Sequence, residues 1–388
     1  MRALSPEQLQ VQALARDFAD GEIRPHAARW DEARALDEEV FGKLAELGFM
    51  GMLAPEAYGG LGFDVRTYLL VLEELARGDA AVALSVAIHC GPVTGMLLRH
   101  GTPAQQERWL PRLASGEALG AFALSEPGAG SDAGALEARA EPTGSGWALS
   151  GVKRWVTNGR RAGLAVVFAR TGAGVSAFLV DPLAPGYRVT GRERTLGLRA
   201  SETVTVELDG AQVGTDALLG GEGEGLRQAL AALDLGRVGI AAQALGIARS
   251  AMEHALAYSL ERRQFGRFLA DFGSTQAKLA EMHRRIAGAW ALVHHVGDAV
   301  EGSQAGERPR TGPDGVTALA AAAKLTASET ATWVADEAVQ IFGGYGYMRD
   351  YPVEKLLRDA KGTEIYEGTN EVMRHVIARE VLRAARAE

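Results

Sequence analysis

Cys90 is the only cysteine in this chain of 388 residues. A lone thiol excludes an intrachain disulfide, a thiolate zinc site, an iron–sulfur cluster and a CxxC redox pair. Its surroundings, VAIHCGPV, read as a buried apolar segment, so Cys90 is expected in the core and not as a nucleophile. A chain without disulfides suits a reduced, cytoplasmic compartment. Positive charge is also scarce. Lys and Arg number 41 against 49 Asp and Glu, a net charge of −8. That is a poor balance for binding nucleic acid or an anionic membrane. The pairs Arg160-Arg161, Arg262-Arg263 and Arg284-Arg285 are scattered and form no basic run. Walker A, HExxH, GxSxG and EF-hand patterns are missing. His294 and His295 are adjacent, so on a helix they diverge by ~100° and cannot share a metal. No apolar core precedes a cleavage site near the N-terminus, so no secretory signal is expected. Ala80 to Leu98 has no formally charged residue over almost a spanning length. It is alanine-rich, carries Ser85, His89 and Thr94 and is interrupted by Gly91-Pro92, so it reads as a buried helix of a soluble fold.

What is present is core-forming material: 47% hydrophobic residues with 23% charged. That composition belongs to a globular chain, not a disordered one. Three zones follow. Residues 1–118 read as an N-terminal helical domain. Ser5 with Gln8, and Thr102 with Gln105, make capping boxes, each with proline at the first helical position. LAPEAYGGLGF is a glycine-rich loop between helices. Residues 119–228 read as a central antiparallel β-domain. LAVVFAR, VSAFLVD and TVTVELDG are short β-rich runs, and the last alternates polar with apolar. The zone closes at GGEGEG. Residues 229–388 are helical again, with one long run from Leu230 to Leu260 and a polar break at EGSQAGERPRTGPDG. A last helix is expected from about Thr369. This order is not the alternating βαβ pattern of a doubly wound sheet.

Four segments carry more than composition explains. FALSEPGAGSD, Phe122 to Asp132, places turn formers and hydroxyls after an apolar strand. It reads equally as a loop for an anionic or heteroaromatic ligand or as a decorated turn. In KRWVTNG, Trp155 and Thr157 stand two apart, which on a strand is one face. A ring and a hydroxyl there suit a flat ligand, although a half-buried strand explains them too. In QIFGGYGY the paired glycines permit close backbone approach or merely end a helix. In IYEGTNE, Glu367 sits between an aromatic and a glycine ahead of a helix. Desolvation there would raise its pKa and make it a useful base; a solvated turn is the alternative.

Taken together and in this order, the segments resemble the acyl-CoA dehydrogenase family of flavoproteins, over nearly the whole chain. ALSEPGAGSD, KRWVTNG, ERRQFGR, QIFGGYGY and YEGTNE fall at matching relative positions. The resemblance implies a helical domain, a β-domain and a C-terminal four-helix bundle. It also implies oxidation of an acyl-CoA thioester to the trans-2-enoyl-CoA. A carboxylate would take the α-proton while N5 of FAD accepts the β-hydride.

By that resemblance Glu367 is the base. Its backbone N–H would bind the thioester oxygen, with Tyr366 and Gly368 lining the thioester. Some family members carry the base one residue before an arginine on the long helix. Here Gly236 precedes Arg237, leaving the loop glutamate. Asp234 and Arg237, on one helix face, would meet the CoA portion, as would Ser131. For FAD, the stretch Phe122, Ala123, Leu124 and Ser125, continuing to Gly130 and Ser131, would run along the ring. Trp155 and Val156 would pack there, and Thr157 would hydrogen-bond near N5. Arg262 and Phe265, with Gln340, Ile341, Phe342, Gly343 and Gly344, would reach the cofactor from a neighbouring subunit. Thr369, Asn370 and Glu371 would add contacts. The family often has glutamine eleven residues after that arginine; here Gly273 stands there and Gln276 follows.

Shared cofactor sites imply a homotetramer, and the family passes electrons to an electron-transferring flavoprotein. Three other readings are an acyl-CoA oxidase, a nitroalkane-oxidising relative and a non-catalytic acyl-CoA-binding protein. The first is expected to be longer, the second to use aspartate as base, and the third to lack Glu367 or Trp155. No arginine lies between Gly78 and Leu98, which argues against a dicarboxylic acyl group. The expected substrate is a short- to medium-chain, unbranched acyl-CoA.

Overall fold

The computed structural model describes residues 3–304 and 312–387, so part of the polar break after the long helices lies outside it. Seven helices come first: α1 Pro6–Phe18, α2 Ala27–Ala33, α3 Glu39–Glu46, α4 Val65–Gly78, α5 Ala80–Ile88, α6 Thr94–His100 and α7 Pro103–Ala114. Both capping boxes form as read: Ser5 and Thr102 each accept from the backbone N–H three residues on. The apolar run from Ala80 is α5 and α6 joined by a π turn at His89–Val93 that accommodates Pro92. Pro92 has no N–H for a regular ladder, and the wider turn absorbs that loss. Two segments, Ala80–His100 and the long helix Gly225–Glu261, are long and apolar enough to span a membrane, but they are 89% and 72% buried inside the fold. Cys90 is buried, and burial raises its thiol pKa to about 12.

The β-region comprises β1 Leu119–Ala123, β2 Arg139–Thr143, β3 Gly146–Val156, β4 Ala162–Thr171, β5 Gly174–Val180, β6 Tyr187–Arg192, β7 Val204–Gly214 and β8 Leu218–Leu219. Their order is β6-β7-β3-β2-β4-β5-β8, with β1 on β4. The sheet is mixed where an antiparallel one was expected. β1 runs parallel to β4, and β2 meets β4 in parallel at Arg139 and Arg170. The reason is topological: β1 enters directly from the helical region, and no hairpin constrains its direction. β7 buries alternate residues, as its sequence pattern demanded.

The remaining helices are α8 Gly225–Glu261, α9 Gly273–Gln304, α10 Val316–Phe342, α11 Val353–Thr363 and α12 Asn370–Ala387, with a short hairpin β9 Arg263–Gln264 and β10 Arg267–Phe268. One apolar core runs through α4, α5, α8, α9 and α10, and a second fills the sheet. α11 is tied across regions by buried ions. Lys355 Nζ lies 2.8 Å from Asp79 and 2.6 Å from Asp359, while Asp359 accepts from Leu198 N–H at 2.6 Å. Arg358 reaches Asp31 at 2.8 Å. These ties fix the helix that leads directly into the loop carrying Glu367.

Candidate active site

Glu367 sits in the loop between α11 and α12, with φ +55°. A left-handed backbone is costly for a side-chain-bearing residue, and such strain recurs at functional sites. Neighbouring contacts hold it there. Tyr366 Oη donates to Gln243 Oε1 at 2.8 Å, and Gln243 Nε2 donates to Ala80 O at 2.7 Å. Lys324, fully buried on α10, donates to Gly368 O at 2.8 Å and to Asn370 Oδ1 at 3.0 Å. Ser328 Oγ donates to the same Asn370 oxygen at 3.1 Å.

The carboxylate itself is not satisfied. Glu367 Oε2 is buried without a hydrogen-bond partner, although the residue keeps some exposure overall. Burial raises its pKa to about 7, against the opposing pull of Arg237 and Lys324. Burial likewise lowers the Lys324 pKa to about 8. The carboxylate lies against α8 at Gly236: a Cβ there would stand 2.6 Å from Oε2. Glycine is therefore what lets this glutamate approach the helix.

Arg237 is buried and Asp234 half-buried, so the two are not a surface pair. Arg237 Nη1 donates to Asp234 Oδ1 at 2.8 Å, and Thr317 Oγ1 donates to Oδ2 at 2.7 Å. Burial raises the Asp234 pKa, with Arg237 opposing. Asp234 also lines a cavity of about 920 Å³ between α6, α8 and α10, together with Gly91, Gly95, Leu235 and Thr317.

The loop after β1 is anchored by residues the sequence reading did not single out. Glu126 accepts from Lys153 Nζ at 2.6 Å, from Glu137 N–H at 2.6 Å and from Ala138 N–H at 3.0 Å. Lys153 also donates to Leu124 O at 3.1 Å, and Arg154 N–H donates to Ser125 O at 2.9 Å. Ser125 is half-buried, while Gly130 and Ser131 are exposed. Phe122 packs edge-on against Phe168, and Ala123 and Leu124 are buried. A lysine inside the KRW run and a glutamate inside SEPGAG were the available signals, but only burial reveals their pairing.

Trp155 and Thr157 do not share a regular strand face. β3 ends at Val156, Trp155 adopts φ +58°, and the β3–β7 register shifts between Lys153 and Val156. The bulge turns the indole outward, 51% exposed, with the Arg154 guanidinium 5.7 Å from its ring. Val156 is buried and Thr157 falls in the following turn. Asn158, also missed, pins that turn by donating to Ser85 O and Gly120 O, both at 3.0 Å.

A third group lies at one end of the bundle. Arg262 sits 5.3 Å from the Tyr345 ring, and Phe265, at the tip of the β9–β10 hairpin, is 94% exposed. Gln340, Gly343 and Gly344 are exposed beside Tyr345. Gly343 has φ +61° with ψ −134°, a conformation only glycine takes easily. Ile341 and Phe342 are buried, and Phe342 stacks on Tyr258 at 4.0 Å. Gly273 opens α9, and Gln276 Nε2 donates to Ala270 O. Thr369 Oγ1 accepts from Val372 N–H, Asn370 is buried, and Glu371 lies in the first turn of α12. Among the described residues, no hydrogen bond or ring contact joins this end group to Trp155 or Ser125.

Three family profiles match the chain: "Acyl-CoA dehydrogenase, N-terminal domain" over residues 5–117, "middle domain" over 121–211 and "C-terminal domain" over 223–382. An acyl-CoA dehydrogenase of Bacillus subtilis is 43% identical over 98% of this chain and 99% of its own. The butyryl-CoA dehydrogenase structure of Megasphaera elsdenii superposes with TM-score 0.94 at 39% identity, covering 99% of this chain and 100% of that one. A chain from a structure of the electron transferring flavoprotein of Acidaminococcus fermentans gives the same TM-score of 0.94 at 39% identity, covering 99% of this chain and 100% of that one.

Proposed function

Because this chain belongs to the acyl-CoA dehydrogenase family, we propose that it removes the α- and β-hydrogens of an acyl-CoA thioester. The observation that carries this reading is the Glu367 carboxylate: buried, without a partner at Oε2 and with its pKa raised to about 7. A base of that pKa is both ionised and proton-hungry near neutrality. The α-proton of the thioester passes to a Glu367 oxygen, while the Glu367 N–H donates to the thioester carbonyl, where charge develops. Tyr366 and Gly368 flank the thioester, and Asp234 and Arg237 hold the substrate on the cavity side. Arg237 and Lys324 keep the base from remaining protonated throughout the working range.

FAD fits the residues around the bulge. The half-exposed Trp155 offers an open aromatic face, and Ser125 a hydroxyl on an anchored loop. Thr157 and the Phe122–Ser131 loop would hold the ring. Arg262, Phe265, Gln340, Gly343 and Gly344 would hold the rest from a second copy, with Thr369 and Glu371. When bound, FAD supplies the acceptor for the second hydrogen, which no side chain can take up. The exposed Phe265 and Tyr347, at 94% and 87%, support a homotetramer in which neighbours cover that end. Electron-transferring flavoprotein is the acceptor we assign, and the cytoplasm the compartment. Anaerobic mixing of the flavin-loaded enzyme with acyl-CoAs of increasing length tests the reading. Bleaching of the flavin is expected; a protein that stays colourless after FAD addition refutes it.

A further inference from the structure

Leu198 and Glu202, four apart in the loop between β6 and β7, are both left-handed, at φ +51° and +54°. Both are buried. Between them Arg199–Ser201 makes one 3₁₀ turn, closed by Ser201 N–H donating to Leu198 O at 3.0 Å. Side-chain-bearing residues stay in such a conformation only where their surroundings over-determine it. The two ends of this loop are held by different parts of the molecule. The first end lies on α11. Leu198 N–H donates to Asp359 Oδ1 at 2.6 Å. A Cβ at Gly197 would stand 2.2 Å from Arg358 O, and one at Gly362 would stand 2.8 Å from Leu198 Cδ1 and 3.0 Å from Tyr366 Cε1. Arg199 and Arg358 share Asp31, at 3.2 and 2.8 Å. All of these contacts bear on the helix that runs into Glu367. The second end lies on the turn after β3. The Glu202 carboxylate pairs with Arg161 at 2.5 Å, Arg160 at 3.3 Å and Arg192 at 3.9 Å. Arg160 and Arg161 belong to the turn that follows Thr157, which Arg161 N–H closes by donating to Asn158 O at 2.9 Å. Asn158 is itself left-handed, at φ +64°.

We propose that residues 197–202 are a clasp that fixes the spacing between Glu367 and the turn carrying Thr157, with Leu198 and Glu202 as its positioning residues. The inference rests on the acyl-CoA reading above, in which Glu367 takes one hydrogen and the flavin held near Thr157 receives the other. Those hydrogens leave adjacent carbons, so the two segments must keep one separation throughout the reaction. A misplacement of about 1 Å costs about 10²-fold in rate. Leu198 holds the base side through α11, and Glu202 holds the flavin side through two arginines. The single turn between them is too short to stretch. Neither residue needs to touch substrate or cofactor for this.

The experiment is a double-mutant cycle on anaerobic flavin bleaching by a four-carbon acyl-CoA, with the FAD-loaded wild type, Leu198→Ala, Glu202→Gln and the double variant. Each single change should lower the limiting bleaching rate by about tenfold, with the half-saturating acyl-CoA concentration within about twofold of the wild type. The double variant should be no slower than the worse single, because a clasp released at one end transmits nothing from the other. Losses that multiply overturn the proposal, since they show two independent local roles. Limiting rates that stay at the wild-type value overturn it as well, and so does a raised half-saturating concentration with the limiting rate intact. If either variant fails to fold, Arg199→Met and Arg160→Met weaken the same two ends from more exposed positions. About threefold losses are then expected, again without multiplying. A wild type that no acyl-CoA bleaches refutes the parent reading, and the inference falls with it. A wild type that bleaches while the losses multiply refutes the clasp alone.

Discussion

Two carboxylates in glycine-containing loops show opposite uses of burial. Glu126 is buried with Lys153 at 2.6 Å and two backbone N–H donors, and its pKa is lowered: burial pushes it up, but these partners more than offset that. Glu367 has its Oε2 buried with cations nearby but no hydrogen bond to it, and its pKa rises to about 7. The first is locked as an anion and holds a loop in shape. The second can take up a proton, because no partner claims the oxygen that would receive it. Hydrogen-bond satisfaction, not burial, separates the structural acid from the proposed base.

The comparison breaks most severely at Glu367 itself. Glu367→Gln keeps the shape and removes the proposed base, so substrate bleaching should fall roughly 10²–10⁴-fold with FAD retained, measured by stopped flow. Normal bleaching would show that another group is the base. At the other carboxylate, Lys153→Met leaves Glu126 buried without its cation, held by two backbone N–H donors alone. A stability loss of about 3–5 kcal/mol in urea unfolding is expected, with weaker FAD retention, and an unchanged midpoint would show the pair to be dispensable.

The pKa difference makes a further distinction. A carboxyl raised from 4.5 to about 7 binds its proton more tightly when folded. It therefore costs stability increasingly as pH rises through that window, by on the order of 3 kcal/mol above it. Glu367→Gln should accordingly stabilise the protein at pH 8 but not at pH 4, in parallel urea titrations. The bleaching rate of the wild type should climb with pH and level off above about 7; a flat profile from 5 to 9 would remove Glu367 from the rate-determining step. A smaller change tests position alone. Gly236→Ala places a methyl where the 2.6 Å approach to Oε2 allows none, so the carboxylate must shift. Bleaching should slow by roughly 10²-fold. Smallest of all, Cys90 should resist a thiol reagent in native buffer and react only after denaturation.

Much of this was legible along the chain. Capping boxes at Ser5 and Thr102 are local chemistry, so their sequence spacing suffices. The period-two pattern of β7 and the glycine-bounded position of Glu367 are equally local. Pairings across the chain were not. Lys153 reads as one basic residue in a strand until Glu126, 27 residues away, is brought to it. Nothing in the sequence around Lys324 points to Gly368, 44 residues away, whose carbonyl accepts its hydrogen bond. Parallel pairing of β1 was hidden because strand direction depends on topology, not on side-chain pattern. The bulge at Trp155 was hidden because alternation presumes an unbroken register.

The scarcity of cysteine and of positive charge determined which chemistries were unavailable, and the ordered motifs determined the family. Those are properties of residue identity and order. Only the tertiary structure decided that Glu367 Oε2 lacks a partner and that Gly236 admits it to α8. Each depends on burial and on distances between segments remote in sequence, and desolvation acts only once those segments have met.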